Sequence, residues 1–155
     1  MVISLLLILL AGPTGQFHCR GPCGIPVGDK FVLIGGHGPD GEIWDFLKNV
    51  DEYTTTGWVK ALPPLQHARA LHGCGVIEQV KFELLFNINS SSTKHCTQTL
   101  IVAGGFNTAG GLDSTEVLRP GSLTWQTVSA HPWPGHARGA VIRGGFYLSR
   151  GKGIN

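Results

Sequence analysis

Gly36-His37-Gly38-Pro39-Asp40-Gly41 spells G-x-G-x-x-G directly after the apolar run Phe31-Val32-Leu33-Ile34. Ahead of a helix, such glycines let backbone amides cradle a pyrophosphate, and an acid further along holds the ribose. Asp51 and Glu52 are the available acids, and both come early. The related stretch GGFNTAGG at 104–111 lacks the spacing, and Pro120 and Gly121 behind it break a helix. A phosphate cradle is therefore not expected. His67 and His72, and again His131 and His136, have four residues between them, which on a helix would approach one face; here proline-rich turns intervene. His18, Cys19 and Cys23 lack a second Cys/His pair to complete a tetrahedral zinc set. No serine or cysteine sits in a nucleophile motif, and no carboxylate pair is placed by spacing. The expectation is a chain that is not an enzyme, with no cofactor and no metal.

The elements that would position any site are strands. The 155 residues are 42% hydrophobic and 14% charged, enough apolar content for one folded domain. Twelve Lys and Arg face ten Asp and Glu, with no basic run, so no footprint for nucleic acid appears. Twenty-three glycines and nine prolines, scattered between short apolar runs, exclude long helices and predict an all-β chain with many turns.

Residues 2–10 are apolar apart from Ser4, and Ala11, Gly12, Pro13 and Gly15 follow. That length suits a signal-peptide core over residues 1–16 and falls short of a membrane span, with a buried strand as the other reading. Cys19, Cys23, Cys74 and Cys96 form an even set, and Asn89-Ser90-Ser91 is a glycosylation sequon in the polar stretch NINSSSTKHC. Cys74 and Cys96 flank a segment that can fold back as a long hairpin, so that bridge is expected first and Cys19–Cys23 second, out of three connectivities. These features point to an extracellular, glycosylated protein.

A long repeat organises the rest. FVLIGG at 31–36 and LIVAGG at 100–105 are aliphatic runs closed by a glycine pair, 69 residues apart. After Gly35-Gly36 come Tyr53, Trp58, Pro63-Pro64 and Arg69; after Gly104-Gly105 come Glu116-Val117-Leu118, Trp125, Pro134 and Arg138. Trp to Trp is 67 residues and Arg to Arg is 69. Four landmarks in one order at a nearly constant offset mark a duplicated unit of short antiparallel strands.

This ordered set resembles the kelch repeat over roughly residues 31–151, although Leu118 and Arg119 stand where that family usually has tyrosine and aspartate. The resemblance implies an incomplete β-propeller: a Cys-containing linker at 17–30, a first repeat over 31–99 with a long loop at 87–99, and a second repeat with the start of a third over 100–155. The glycines would end a strand where a side chain collides or a positive backbone angle is needed. Each tryptophan would fill the space between sheets. Arg69 and Arg138 would hold carbonyls or the acid of their own unit. Two units do not close a ring, so closure needs further blades or self-assembly. The family implies a scaffold whose loops, for instance 37–44 and 107–111, hold a protein or glycan partner. Alternatives are a secreted galactose-oxidase-like enzyme and an intracellular ubiquitin-ligase adaptor.

Overall fold

Val32, Ile34 and Val50 are buried while their neighbours Phe31, Leu33 and Asp51 are half-buried, the period of two that a strand imposes when one face meets a core. The computed structural model describes residues 21–40, 43–60, 62–81 and 95–150, and these hold strands and turns with no helix.

In chain order the strands are β1 (Cys23–Val27), β2 (Lys30–Ile34), β3 (His37–Asp40), β4 (Ile43–Phe46), β5 (Val50–Thr54), β6 (Gly57–Val59) and β7 (Gly73–Lys81). They continue with β8 (His95–Ala103), β9 (Phe106–Asn107), β10 (Gly110–Gly111), β11 (Ser114–Leu118), β12 (Gln126–Ala130), β13 (Ala137–Ile142) and β14 (Gly145–Arg150). A first sheet has the order β1-β2-β5-β6 and a second β7-β8-β11-β12, both wholly antiparallel. Each carries a small hairpin, β3-β4 or β9-β10, inserted between its second and third strands. A two-stranded sheet, β13-β14, follows. Among the described residues no sheet closes on itself.

The sheets begin one strand earlier than the sequence repeat. The segment 17–30, expected as a linker, contains β1, because Cys23 to Val27 pair in register with Ile34 to Lys30. Residues 95–99 of the expected loop extend β8, opposite Lys81 to Ile77. The stretch that follows G-x-G-x-x-G is strand β4, so no helix N-terminus stands there to receive a phosphate.

The disulfide expectation is corrected. Cys74 bonds to Cys23, with 6.1 Å between their Cα atoms. Cys74 and Cys96 do lie on paired strands, but Cys74 stands opposite Val102 and Cys96 opposite Val80. Six residues of register at ~3.4 Å each separate them by roughly 20 Å, beyond any disulfide. Cys23 is thereby also taken from Cys19, which lies outside the described residues, as do the expected signal peptide at 1–16 and Asn89.

The three sheets stack in succession, and their two junctions are built differently. Between the first and second sheets, Ile25, Val32, Ile34 and Val50 meet Cys74, Leu100, Val102, Leu118 and Trp125 in one buried cluster. Between the second sheet and β13-β14, glycine replaces bulk. A Cβ on Gly73 would sit 2.6 Å from the Gly139 nitrogen, and one on Gly75 2.6 Å from Val141. Close backbone approach needs residues without side chains there.

Candidate functional site

The two glycine pairs occupy one backbone arrangement. Gly35 and Gly36 have φ of 58° and 111°, and Gly104 and Gly105 have 70° and 94°, all in the left-handed region. The Gly35 N–H donates to the Asn49 carbonyl at 2.8 Å, as Gly104 does to Ser114 at 3.1 Å. Gly36 donates to the Arg69 carbonyl at 2.7 Å, and Gly105 to that of Gly135 at 2.8 Å. Leu47 and Leu112 donate back to the second glycine of each pair, both at 2.8 Å. Steric need matches the angles, since a Cβ on Gly35 would lie 2.5 Å from the Arg69 carbonyl oxygen. The pairs are turn punctuation, with amides spent on the protein's own carbonyls.

That hydrogen-bond register corrects the pairing of the arginines. Gly135, not Arg138, occupies the place of Arg69. Arg138 lies three residues further along, exposed on β13. Arg69 is fully buried: its guanidinium donates to the Gly104 carbonyl at 2.9 Å, the Ser114 carbonyl at 3.1 Å, the Ser114 hydroxyl at 2.9 Å and Glu116 Oε1 at 2.5 Å. Glu116 is also fully buried and accepts the backbone N–H groups of Gln66 at 2.7 Å and His67 at 3.1 Å. The acid belongs to the next sheet, not to the arginine's own unit, because Arg69 stands in the connection from β6 to β7 at the junction itself. Burial pulls the Arg69 guanidinium below its ordinary pKa, and the Glu116 carboxylate opposes that shift.

Trp125 is buried at the same junction, its indole N–H donating to the Pro63 carbonyl at 2.8 Å. Gln66 closes the loop onto it through the Trp125 carbonyl at 3.1 Å. Trp58 holds the corresponding place in the first sheet, opposite Tyr53 and packed edge-on against it with centroids 5.1 Å apart. It is half-buried, as are Tyr53 and Phe31 beside it. The same landmark thus has two environments, set by whether a sheet covers it.

The histidines do not converge. His67 approaches Glu116 at 3.2 Å. His136 packs edge-on against Phe106. His72 is buried beside Gly35 and Gly105 with both ring nitrogens unpaired, and burial, reinforced by Arg69, pushes its pKa down to about 3. The ring nitrogens of His131 are unpaired too. Among the described residues no three His, Cys, Asp or Glu side chains gather to hold a metal ion, and no helix is long and apolar enough to cross a membrane.

The loops expected to touch a partner are hairpins at one and the same place. β3-β4 and β9-β10 each follow a glycine pair, and each is closed by the leucine that returns to the second glycine. The first pairs His37–Asp40 with Ile43–Phe46, and the second pairs Phe106–Asn107 with Gly110–Gly111. A groove of about 580 Å3 lies where β1, β7 and β13 come together, lined by Ile25, Cys74, Gly75, Val76 and Val141, with Glu78 as its charged member. Sequence reasoning named Glu116 but not its partner across the junction, and it missed Gly73 and Gly75; two glycines alternating on one strand, G-C-G, are the signal for close approach there.

No protein-family model matches the chain, and no curated protein matches it.

Proposed function

We propose that the chain is a non-enzymatic, kelch-type scaffold, extracellular, that binds a protein or glycan partner through hairpins 37–46 and 106–111. One observation carries this reading. The frames around the two glycine pairs agree hydrogen bond by hydrogen bond, while the hairpins they hold differ in length and sequence. A constant frame with variable insertions suits a surface whose contacts change while its support does not. The ordered Gly-Gly, Trp and Arg landmarks support the kelch assignment, and two four-stranded antiparallel sheets of the same strand order agree with it. The Cys23–Cys74 disulfide suits an oxidising compartment, as do the apolar leader and the Asn89 sequon.

Secretion of the full chain from cultured cells, with peptide mapping of the medium, tests the location. A product lacking the leader, bridged between Cys23 and Cys74 and glycosylated at Asn89, is expected. Retention in the cytosol with free thiols would overturn the extracellular reading. A glycan array and a panel of cell-surface ectodomains test the binding. Thr108→Arg, at the exposed tip of the second hairpin, is expected to abolish any hit without changing the melting temperature. A hit that survives this variant and a matching Asp45→Arg change would remove the hairpins from the site.

A further inference from the structure

Two adjacent residues hold both hairpins at their bases. Arg69 and Ala70 stand in the connection from β6 to β7. The Arg69 N–H donates to the Leu47 carbonyl at 3.2 Å and its carbonyl accepts the Gly36 N–H at 2.7 Å, so it grips the base of β3-β4 from both sides. Ala70 does the same for β9-β10: its N–H donates to the Phe106 carbonyl at 3.0 Å, and its carbonyl accepts the Phe106 N–H at 2.9 Å. Leu71 then turns the chain with φ of 58°, an unfavourable angle for a residue with a side chain. The next residue is His72.

His72 fills the space between the two glycine pairs. Its Cε1 lies 3.0 Å from where a Cβ on Gly35 would stand, and its own Cβ 2.9 Å from where one on Gly105 would stand. It is 6% exposed, and neither ring nitrogen has a hydrogen bond. An apolar side chain of that size would fill the space at lower cost, so packing alone does not account for a histidine here. Burial, and after it the Arg69 guanidinium on its own segment, oppose its protonation. The acid next to Arg69, Glu116 of β11, is committed to that guanidinium at 2.5 Å. His131, whose ring nitrogens are also unpaired, lies against Gly104 of the second pair.

We propose that the segment 69–72 is an acid-sensitive clamp: His72 takes up a proton whenever the segment lifts, so acid makes it open more often and frees both hairpins, with any partner they hold. The departure of a partner rests on the binding role proposed above; the opening of the clamp does not. Closed, His72 has its pKa lowered to about 3; open, it returns to the ordinary 6.5. Opening is therefore independent of pH above 6.5 and becomes about tenfold more favourable for each pH unit below it, until about pH 3. The four hydrogen bonds that close the clamp are between backbone groups, which do not titrate, so the pH dependence traces to the side chain beneath them. A partner held at neutral pH leaves faster in an acidic medium.

Amide hydrogen exchange on the full chain without a partner, corrected for the intrinsic pH dependence of exchange, tests the clamp. The amides of Gly36, Ala70 and Phe106 are expected to lose about thirtyfold in protection between pH 8 and pH 5, through an opening that low concentrations of urea do not accelerate. His72→Leu and His72→Gln, neither of which titrates, are each expected to abolish that loss, and the second stands in if the first does not fold. Protection that does not change with pH would overturn the proposal. So would a loss that persists in both His72 variants, or one that vanishes in His131→Phe instead. Exchange of these amides only together with those of Val32 and Val102, through urea-dependent global unfolding, would overturn it as well. Partner departure is read separately: the dissociation rate of a partner found on the arrays is expected to rise by the same factor, and not to rise in His72→Leu. A clamp that opens as expected while nothing binds fails the binding role alone and leaves the clamp standing.

Discussion

The two junctions hold their sheets together by opposite means. The first is apolar at its core and tied across by directional groups: a Cys23–Cys74 disulfide, a buried Arg69–Glu116 pair and Trp125 bonded to the Pro63 carbonyl. The second has backbone against backbone, made possible by Gly73, Gly75 and Gly139, with Phe146 filling the space beside them. Directional groups specify one register at the first, since a misplaced guanidinium or thiol loses its partner. Close packing specifies register at the second, since any added side chain collides. The contrast also shows that a repeated landmark does not repeat its role: Arg69 is a staple, and Arg138, from the same sequence motif, lies exposed on β13.

The sharpest way to break the contrast is to unpair the first junction. Arg69→Met leaves Glu116 buried and charged without its partner, and is expected to cost about 3–5 kcal/mol in urea unfolding. Adding Glu116→Gln removes the charge and keeps an acceptor for the Gln66 and His67 amides, so the double variant is expected to lose less than Arg69→Met alone. Arg138→Met is expected to change stability by less than about 0.5 kcal/mol. Equal losses from the two arginines would erase the distinction.

Replacing both Cys23 and Cys74 by serine removes a cross-link between residues 51 apart, with an expected loss of about 2–4 kcal/mol and a lower melting temperature. Peptide mapping that found Cys74 joined to Cys96 would contradict the first junction as described.

Acid sharpens the comparison further. His72 sits buried beside both glycine pairs with its pKa lowered to about 3. The unfolded chain takes up this proton near pH 6.5 and the folded chain does not. The stabilising contribution is therefore complete above pH 6.5 and is lost as pH falls toward 3. The slope is about 1.4 kcal/mol per pH unit, or about 2 kcal/mol between pH 7 and pH 5. His72→Leu is expected to flatten this limb of the stability curve, and a slope unchanged by the variant would remove His72 as its source.

Gly73→Ala tests the second junction. Its methyl would press on the Gly139 backbone, which has no flexible side chain to yield, and a loss of about 1–3 kcal/mol is expected. A neutral result would mean that the sheets separate there without cost.

Much of the strand content was legible in the sequence because it follows from local chemistry. Short β-branched runs between glycines and prolines have few alternatives to antiparallel strands, and the spacing from Gly35-Gly36 to Gly104-Gly105 betrayed the duplication. β1 was missed because CGIPV carries a proline and a glycine that look like linker. That proline is tolerated on the first strand of the sheet, which leaves one side unpaired within it. The arginine pairing was misassigned because counting residues cannot see backbone hydrogen bonds. Leu71, with φ of 58°, marks an irregularity between Arg69 and β7, and β13 begins two residues after Gly135 without a matching segment.

By itself the sequence determined the element type, the repeat and the need for glycine after β2 and β8, since strand propensity and positive φ depend on residues and their near neighbours. Only the tertiary structure decided which cysteine Cys74 meets, that Arg69 reaches the acid of the next sheet, and that Trp125 is buried while Trp58 is half-covered. Those outcomes depend on which face of a strand lies against which neighbour. A one-residue shift in register reverses every side chain on a strand, and no count along the chain reports it.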